Sequence, residues 1–212
     1  MEAPSPQLIP SRAPKRAHFD ADTINPILDE ALVCTVSYVA DNRPYTIPTA
    51  FVRYGDKIYI HGSVGSHFIR EIEKGLTVCI TVTLMDALVV AKSAFSHSVN
   101  YRSVIIFAEA EKIEDHQQKL DAFKWLTNKM VPDSWDYLRP VTPGEVQKTT
   151  VLAFSLAQAS AKVRTGMPND NKEDLDLPVW SGIIPFQTLR LAPVADERSQ
   201  GIELPAHLQQ GF

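Results

Sequence analysis

Apolar and polar residues alternate along most of this chain, in short blocks rich in Val, Ile, Thr and aromatic side chains. A period of two with that composition predicts strands over residues 31–39, 45–53, 57–61, 76–84, 87–91, 101–111, 151–156 and 161–164, with a last one at 188–191. Tyr54-Gly55-Asp56, lying between two of these blocks, reads as a hairpin turn. Three stretches switch to helical spacing. Residues 22–30 suit a short helix capped by Asp22 or Thr23. Residues 66–74 place Phe68, Ile69 and Ile72 on one face, with Gly75 as the stop. After Asp115, Leu120, Phe123, Leu126 and Met130 recur on one face until Pro132 ends the run. Many short strands with a few helices predict a mainly β fold, a barrel or a sandwich. A doubly wound sheet would need a helix after nearly every strand.

Composition narrows the class. A length of 212 residues is enough for one domain with a real core. The expected layout is a mobile Pro-rich arm at 1–18, one domain at 19–192 and a tail at 193–212. A net charge of −4 gives no basic field for nucleic acid, so a phosphorylated ligand needs a local site. No window approaches the ~18 uninterrupted apolar residues of a membrane span. The N-terminus lacks the apolar core of a secretory signal, so a cytoplasmic protein is expected. Cys34 and Cys79 each sit in an apolar run and read as two reduced thiols, a cross-strand disulfide being the alternative. No metal-ligand spacing surrounds them, so no metal site is expected.

Three segments carry candidate chemistry. In the first, His61-Gly62-Ser63-Val64-Gly65-Ser66-His67 links a strand to a helix. Glycines admit a ligand close to the backbone, serines donate hydrogen bonds, and a helix N-terminus favours a phosphate, with Arg70 one turn in. An ordinary turn with a serine cap accounts for the same residues. In the second, Ser93, Ser96, His97, Ser98, Asn100, Tyr101, Arg102 and Ser103 crowd the start of an apolar strand. Buried polar groups need partners. A polar ligand would supply them, and so would a solvated loop. In the third, Lys162 and Arg164 share one strand face, and Trp180 is placed either to cover a flat ring or to plug the edge of the core. There is no G-x-G-x-x-G, Walker loop, G-x-S-x-G elbow or H-E-x-x-H.

These segments, HGSVGSHFIREI, SAFSHSVNYRSVIIF and SAKVRTG…LPVWSGIIP, resemble the split-barrel flavoproteins related to pyridoxamine 5′-phosphate oxidase, in the branch that includes nitroimidazole-resistance proteins. The resemblance runs from about Arg16 to Leu191 and implies an FMN-binding split β-barrel that is homodimeric, with two FMN molecules between the subunits. It places His61, Gly62 and Ser63 beside the flavin ring and ribityl chain, Ser66 in the phosphate loop, and Thr46 and Thr49 near the ring. It places Arg102 and Ser103, within the motif Asn100-Tyr101-Arg102-Ser103, at a flavin-contacting strand start, and Trp180 against the flavin of the partner subunit. The oxidases carry an Arg-Lys pair where this chain has His67 and Phe68. Phosphate binding then falls on Ser66, Arg70 and the helix dipole, with His67 adding charge when protonated.

The expected function is FMN-dependent oxidoreduction of a small organic substrate, with His61 or His97 moving protons. The alternative is a non-catalytic flavin or haem carrier, in which His61, His67 or His97 ligates iron. The substrate-phosphate residues of the oxidases have no counterpart after Leu191, so vitamin B6 oxidation is not expected.

Overall fold

A computed structural model gives the structure of residues 8, 9 and 11–209. In β2 (Val33–Ala40), Cys34, Val36 and Tyr38 are buried while Thr35 and Ser37 between them face outward. β6 (Thr77–Val90) repeats the pattern with Val78, Ile80 and Val82, and β7 (Ser98–Glu109) with Val104 and Ile106. Pairing sets Val36 opposite Ile80 and Ile80 opposite Ile106, so these side chains share one apolar face. Each is worth about 1.5–3 kcal/mol when fully buried. A one-residue slip would turn the whole row into water, which fixes the register.

All pairings are antiparallel, and the strands form two sheets. The larger runs in the order β1 (Ala17–His18), β10 (Ala159–Arg164), β7, β6, β2 and β3 (Arg43–Ala50), with β11 (Gly182–Pro185) pairing to the far half of β6. The smaller contains β4 (Val52–Tyr54), β5 (Lys57–Ser63), β9 (Thr149–Ser155) and β8 (Glu111–Lys112). The chain passes between sheets at Phe51, which is buried. The sheets and α1 (Ala21–Glu30), with Ile24, Ile27 and Leu28 turned inward, enclose the main core. Among the described residues no closed barrel forms. Among the described residues β3 pairs on one side only, and Pro44 and Pro48, lacking N–H groups, suit such an edge.

The helices cover the ends and one flank. α2 (His67–Ile72) buries Ile69 and Ile72. α3 (His116–Met130) lies over the smaller sheet, its Trp125 stacked on Tyr54 with ring centroids 3.7 Å apart. α4 (Pro143–Gln147) precedes β9, and α5 (Ala206–Gln209) ends the described chain.

The mainly β expectation holds, with corrections in detail. α1 is capped by Asp20, whose carboxylate accepts from Thr23 N–H at 2.8 Å, rather than by Asp22 or Thr23. The expected strands at 76–84 and 87–91 are one strand; a bulge at Asp86 shifts the register and interrupts the alternation. The block at 45–53 divides between two sheets at Phe51. No strand forms at 188–191; the last is β11. α4 was not expected, although Thr142 and Glu145 form a capping box that the sequence displays. Of the expected arm, residues 1–7 and 10 lie outside the described residues, while Ala17 and His18 pair with Lys162 and Ala161. Cys34 and Cys79 are both free thiols, and they sit on opposite faces of the large sheet: Cys34 is buried in the core, while Cys79 pairs with Ser37 on the outer face.

Candidate functional site

β5 ends in the Gly-Ser loop, and local hydrogen bonds shape it. Ser66 accepts from Ile69 N–H at 3.5 Å and caps α2; Ser63 Oγ accepts from Gly65 N–H at 3.2 Å; Val64 N–H donates to Lys148 O at 3.1 Å. Gly62 is required by packing, since a Cβ there would lie 2.7 Å from Ile69 Cγ1. His67 and Arg70 are exposed on α2, and His67 Nε2 is 3.8 Å from Glu71 Oε1. An aromatic row adjoins the loop: Tyr38 stacks on Tyr45 at 5.1 Å, Phe68 tilts against Tyr38 at 5.9 Å, and His67 against Tyr45 at 6.4 Å. Along β3 beyond Tyr45 the two threonines divide between the faces: Thr46 meets Ser37 on the outer face, 3.1 Å between hydroxyls, and Thr49 pairs with the buried Cys34 on the other.

The polar run at 93–103 has a different character. β7 begins at Ser98, which places Asn100–Ser103 inside the strand. Asn100 is buried, donates to Gly166 O at 3.0 Å and accepts from the buried Arg164 guanidinium. Ser103 Oγ donates to Lys162 O at 3.2 Å, and Tyr101 pairs across to Arg164. The bulge presents Asp86 to Arg102, 2.7 Å from Nη2 to Oδ1, and the same guanidinium grips Glu30 at 2.9 Å. These bonds hold the Glu30 carboxyl below its ordinary range and Arg102 well above its own. His97 Nδ1 is 2.9 Å from Ser93 O, on an exposed turn. The exposed Trp180 folds over Gly182, where a Cβ would come within 2.9 Å of its ring. Lys92, overlooked in the sequence, fixes the acidic loop: Nζ donates to Leu175 O at 2.7 Å and Leu177 O at 2.6 Å, and its N–H donates to Asp170 at 2.8 Å. Arg102 pairs beside Leu84, seven residues along β6 from Thr77, or roughly 23 Å at ~3.3 Å per residue.

A third region emerges only in three dimensions. Strand alternation turns His61 away from the core, under α3. There it forms the floor, with Thr149, of a cleft of about 410 Å³. Phe123, Leu126 and Thr127 of α3 make one wall, and Trp135, Leu138 and Val141 of the α3–α4 connection make the other. Arg139 and Glu145 stand at its edge as a pair, Nη2 to Oε1 2.5 Å and Nη1 to Oε2 3.0 Å. Phe123 meets the His61 ring edge-on at 6.3 Å. Desolvation beside the apolar walls pushes the His61 pKa down and favours the neutral imidazole, although the side chain keeps an exposed edge. Among the described residues neither ring nitrogen has a hydrogen-bond partner. The neutral imidazole is the form that ligates a metal or accepts a proton. The sequence named His61 but not its surroundings, because the walls come from segments 62 to 80 residues away. Among the described residues no cluster of three or more His, Cys, Asp or Glu is placed to hold a metal ion by itself. No helix there is long and apolar enough to cross a membrane.

A family profile described as pyridoxamine 5′-phosphate oxidase matches residues 20–163. No curated protein sequence matches the chain. Among solved structures, the flavocytochrome Anf3 of Azotobacter vinelandii is 35% identical with a TM-score of 0.93, over 100% of this chain and 99% of that one. A protein of Mycobacterium smegmatis described as FAD and haem binding is 31% identical with a TM-score of 0.88, over 92% and 96%. A Bacteroides thetaiotaomicron protein described in connection with 5-nitroimidazole resistance is 24% identical with a TM-score of 0.60, over 69% and 86%, and shares the fold.

Proposed function

The chain belongs to the pyridoxamine 5′-phosphate oxidase family of flavin-binding proteins, and from that premise we propose that it is a redox protein with two cofactors, a flavin on the free edge of β3 and a haem in the His61 cleft. A bound flavin supplies hydride and electron chemistry, and a bound haem supplies one-electron chemistry at iron. The chain's own residues bind, orient and shield both.

On the flavin side, the free edge of β3 offers unpaired backbone donors and acceptors to a planar heterocycle. The Gly-Ser loop offers Ser63 and Ser66, with the positive charge of Arg70 and, when protonated, His67 close by. This loop lacks the Arg-Lys pair that would match a terminal phosphate dianion, and the relative that names its flavin names FAD. We therefore favour FAD over the FMN expected from sequence. A second copy of the chain fits the outward face of the large sheet, where Val33, Val39, Met85 and Ile105 are exposed among Thr35, Ser37, Thr81 and Thr83 with no charge between them. A homodimer built on that face would bring Trp180 of one subunit toward the flavin of the other.

The observation that carries the haem assignment is His61: it faces an open, largely apolar cleft, desolvation there lowers its pKa, and no described side chain bonds its ring. Such a group could supply a nitrogen ligand to iron, and the two relatives named above with more than 30% identity are described as a flavocytochrome and as an FAD and haem binding protein. A neutral His61 is also a poor proton donor at pH 7, which argues against the acid role expected from sequence. The test is an absorbance spectrum of purified protein, before and after adding hemin, with flavin released by heat and identified by mass. The expected result is FAD together with a Soret band at one haem per chain. A Soret band absent even after hemin addition would remove the haem, and preferential FMN binding would remove FAD. Light scattering that shows a flavin-loaded monomer would remove the dimer.

A further inference from the structure

The edge of the His61 cleft holds an arrangement that cofactor binding by itself does not require. Of the side chains lining the cleft, His61 apart, only Arg139 and Glu145 are ionisable, and they are paired with each other through both terminal guanidinium nitrogens and both carboxylate oxygens. The connection that carries Arg139 thus reaches across to α4, closing one side of the opening with an ion pair.

We infer that Arg139 recognises a carboxylate on the flat apolar ligand that enters this cleft, and that Glu145 is an internal stand-in which the ligand carboxylate displaces. The inference rests on reading the cleft as a haem site, whose ligand carries two propionates.

Four observations support it. A guanidinium fork matches a carboxylate bidentately, so the partner Arg139 now holds has the shape of the partner proposed. Both side chains are exposed, at 68% and 46%, and exposed ion pairs exchange partners at little cost. Glu145 loses little when Arg139 leaves, because its Oε2 accepts from Thr142 N–H at 2.8 Å and from Thr142 Oγ1 at 3.0 Å in the capping box. Arg139 is steadied independently, since Nη1 also donates to Pro140 O at 3.0 Å. The exchange therefore leaves no buried group unpaired. Arg139 and Thr142 hold the Glu145 carboxyl at a pKa of about 2. The stand-in is therefore ionised across the neutral range, and its competition is constant rather than switched by pH.

The test titrates the full-length, cofactor-free protein with hemin, with metal-free protoporphyrin IX and with the dimethyl ester of each, in the wild type, Glu145→Gln and Arg139→Gln. Gln preserves the capping box, and circular dichroism checks that both variants fold. Glu145→Gln is expected to bind the two dicarboxylates about threefold more tightly, and Arg139→Gln about threefold to tenfold more weakly, the range of one exposed to partly shielded charge-assisted contact. The diesters should bind all three proteins alike. Equal response of acids and esters, or weaker acid binding by Glu145→Gln, overturns the inference, as does failure of both porphyrins to bind. Binding of metal-free protoporphyrin with the expected pattern, but no Soret shift with hemin, would sustain the role of Arg139 and refute iron ligation by His61.

Discussion

The start of β7 and the floor of the His61 cleft are both polar spots on otherwise apolar strands, and the structure treats them in opposite ways. Around Asn100–Ser103 the polar groups are satisfied from within: Asn100 by Arg164 and Gly166, Ser103 by Lys162, Arg102 by Glu30 and Asp86. Around His61 the neighbours are Phe123, Leu126 and Trp135, and no partner is supplied. Density of polar residues is therefore a poor guide to a site here. The informative feature is a polar group whose surroundings leave it open.

That contrast is open to direct attack. The largest effect is expected from Asn100→Ala, which strips the acceptor from the buried Arg164 guanidinium and the donor from Gly166 O. Leaving such groups unpaired should cost about 2–4 kcal/mol, read as a lower denaturant midpoint at unchanged slope. A loss below about 0.5 kcal/mol, within the range of ordinary surface substitutions, would mean that this region is solvated and still available to a ligand. Gly62→Ala should come next, at about 1–3 kcal/mol, because its Cβ meets Ile69 Cγ1 at 2.7 Å. The cost should largely vanish in an Ile69→Ala background. If it persists there, Gly62 serves something other than the approach of α2.

Arg102→Gln should cost about 1 kcal/mol, since the Glu30 side chain is half exposed and solvent screens the pair. Its pH dependence has a definite sign. Arg102 lowers the Glu30 pKa, so the contribution is complete above the ordinary glutamate value of about 4.3 and fades as pH falls through the lowered folded-state value. Urea titrations of wild type and variant should therefore converge as pH falls below about 4. A gap that is constant down to pH 3 would assign the loss to packing of the arginine stem. The smallest stability change, under about 0.5 kcal/mol, is expected from His61→Ala, because the ring has no partner to lose. The same variant should show no Soret band with hemin. A normal band would place the iron ligand elsewhere, and a large stability loss would show that His61 is structural.

Much of the fold was legible in the sequence. The alternation in β2, β6 and β7 identified their buried faces, and Ser66, Asp115 and Gly75 marked helix ends. The errors fell where a long-range contact overrides the local pattern. Asp86 bulges to meet Arg102, so one strand read as two. Phe51 turns the chain into the second sheet, so two strands read as one. The Gly-Ser loop was visible as a segment, but the reason for Gly62 is a side chain seven residues away.

What the sequence determined by itself is periodicity: which residues face inward, where helices are capped, and that strands dominate. Those properties depend on neighbours a few residues apart and on the stereochemistry of the backbone. Only the tertiary structure decided which polar side chains are satisfied and which remain open, because the partners are remote. Arg164 lies 64 residues from Asn100, Glu30 lies 72 from Arg102, and the walls around His61 come from α3 and the connection after it. A buried polar group is neutralised by whatever the fold brings within about 3 Å, and that proximity is a property of the packed chain rather than of any local stretch of it.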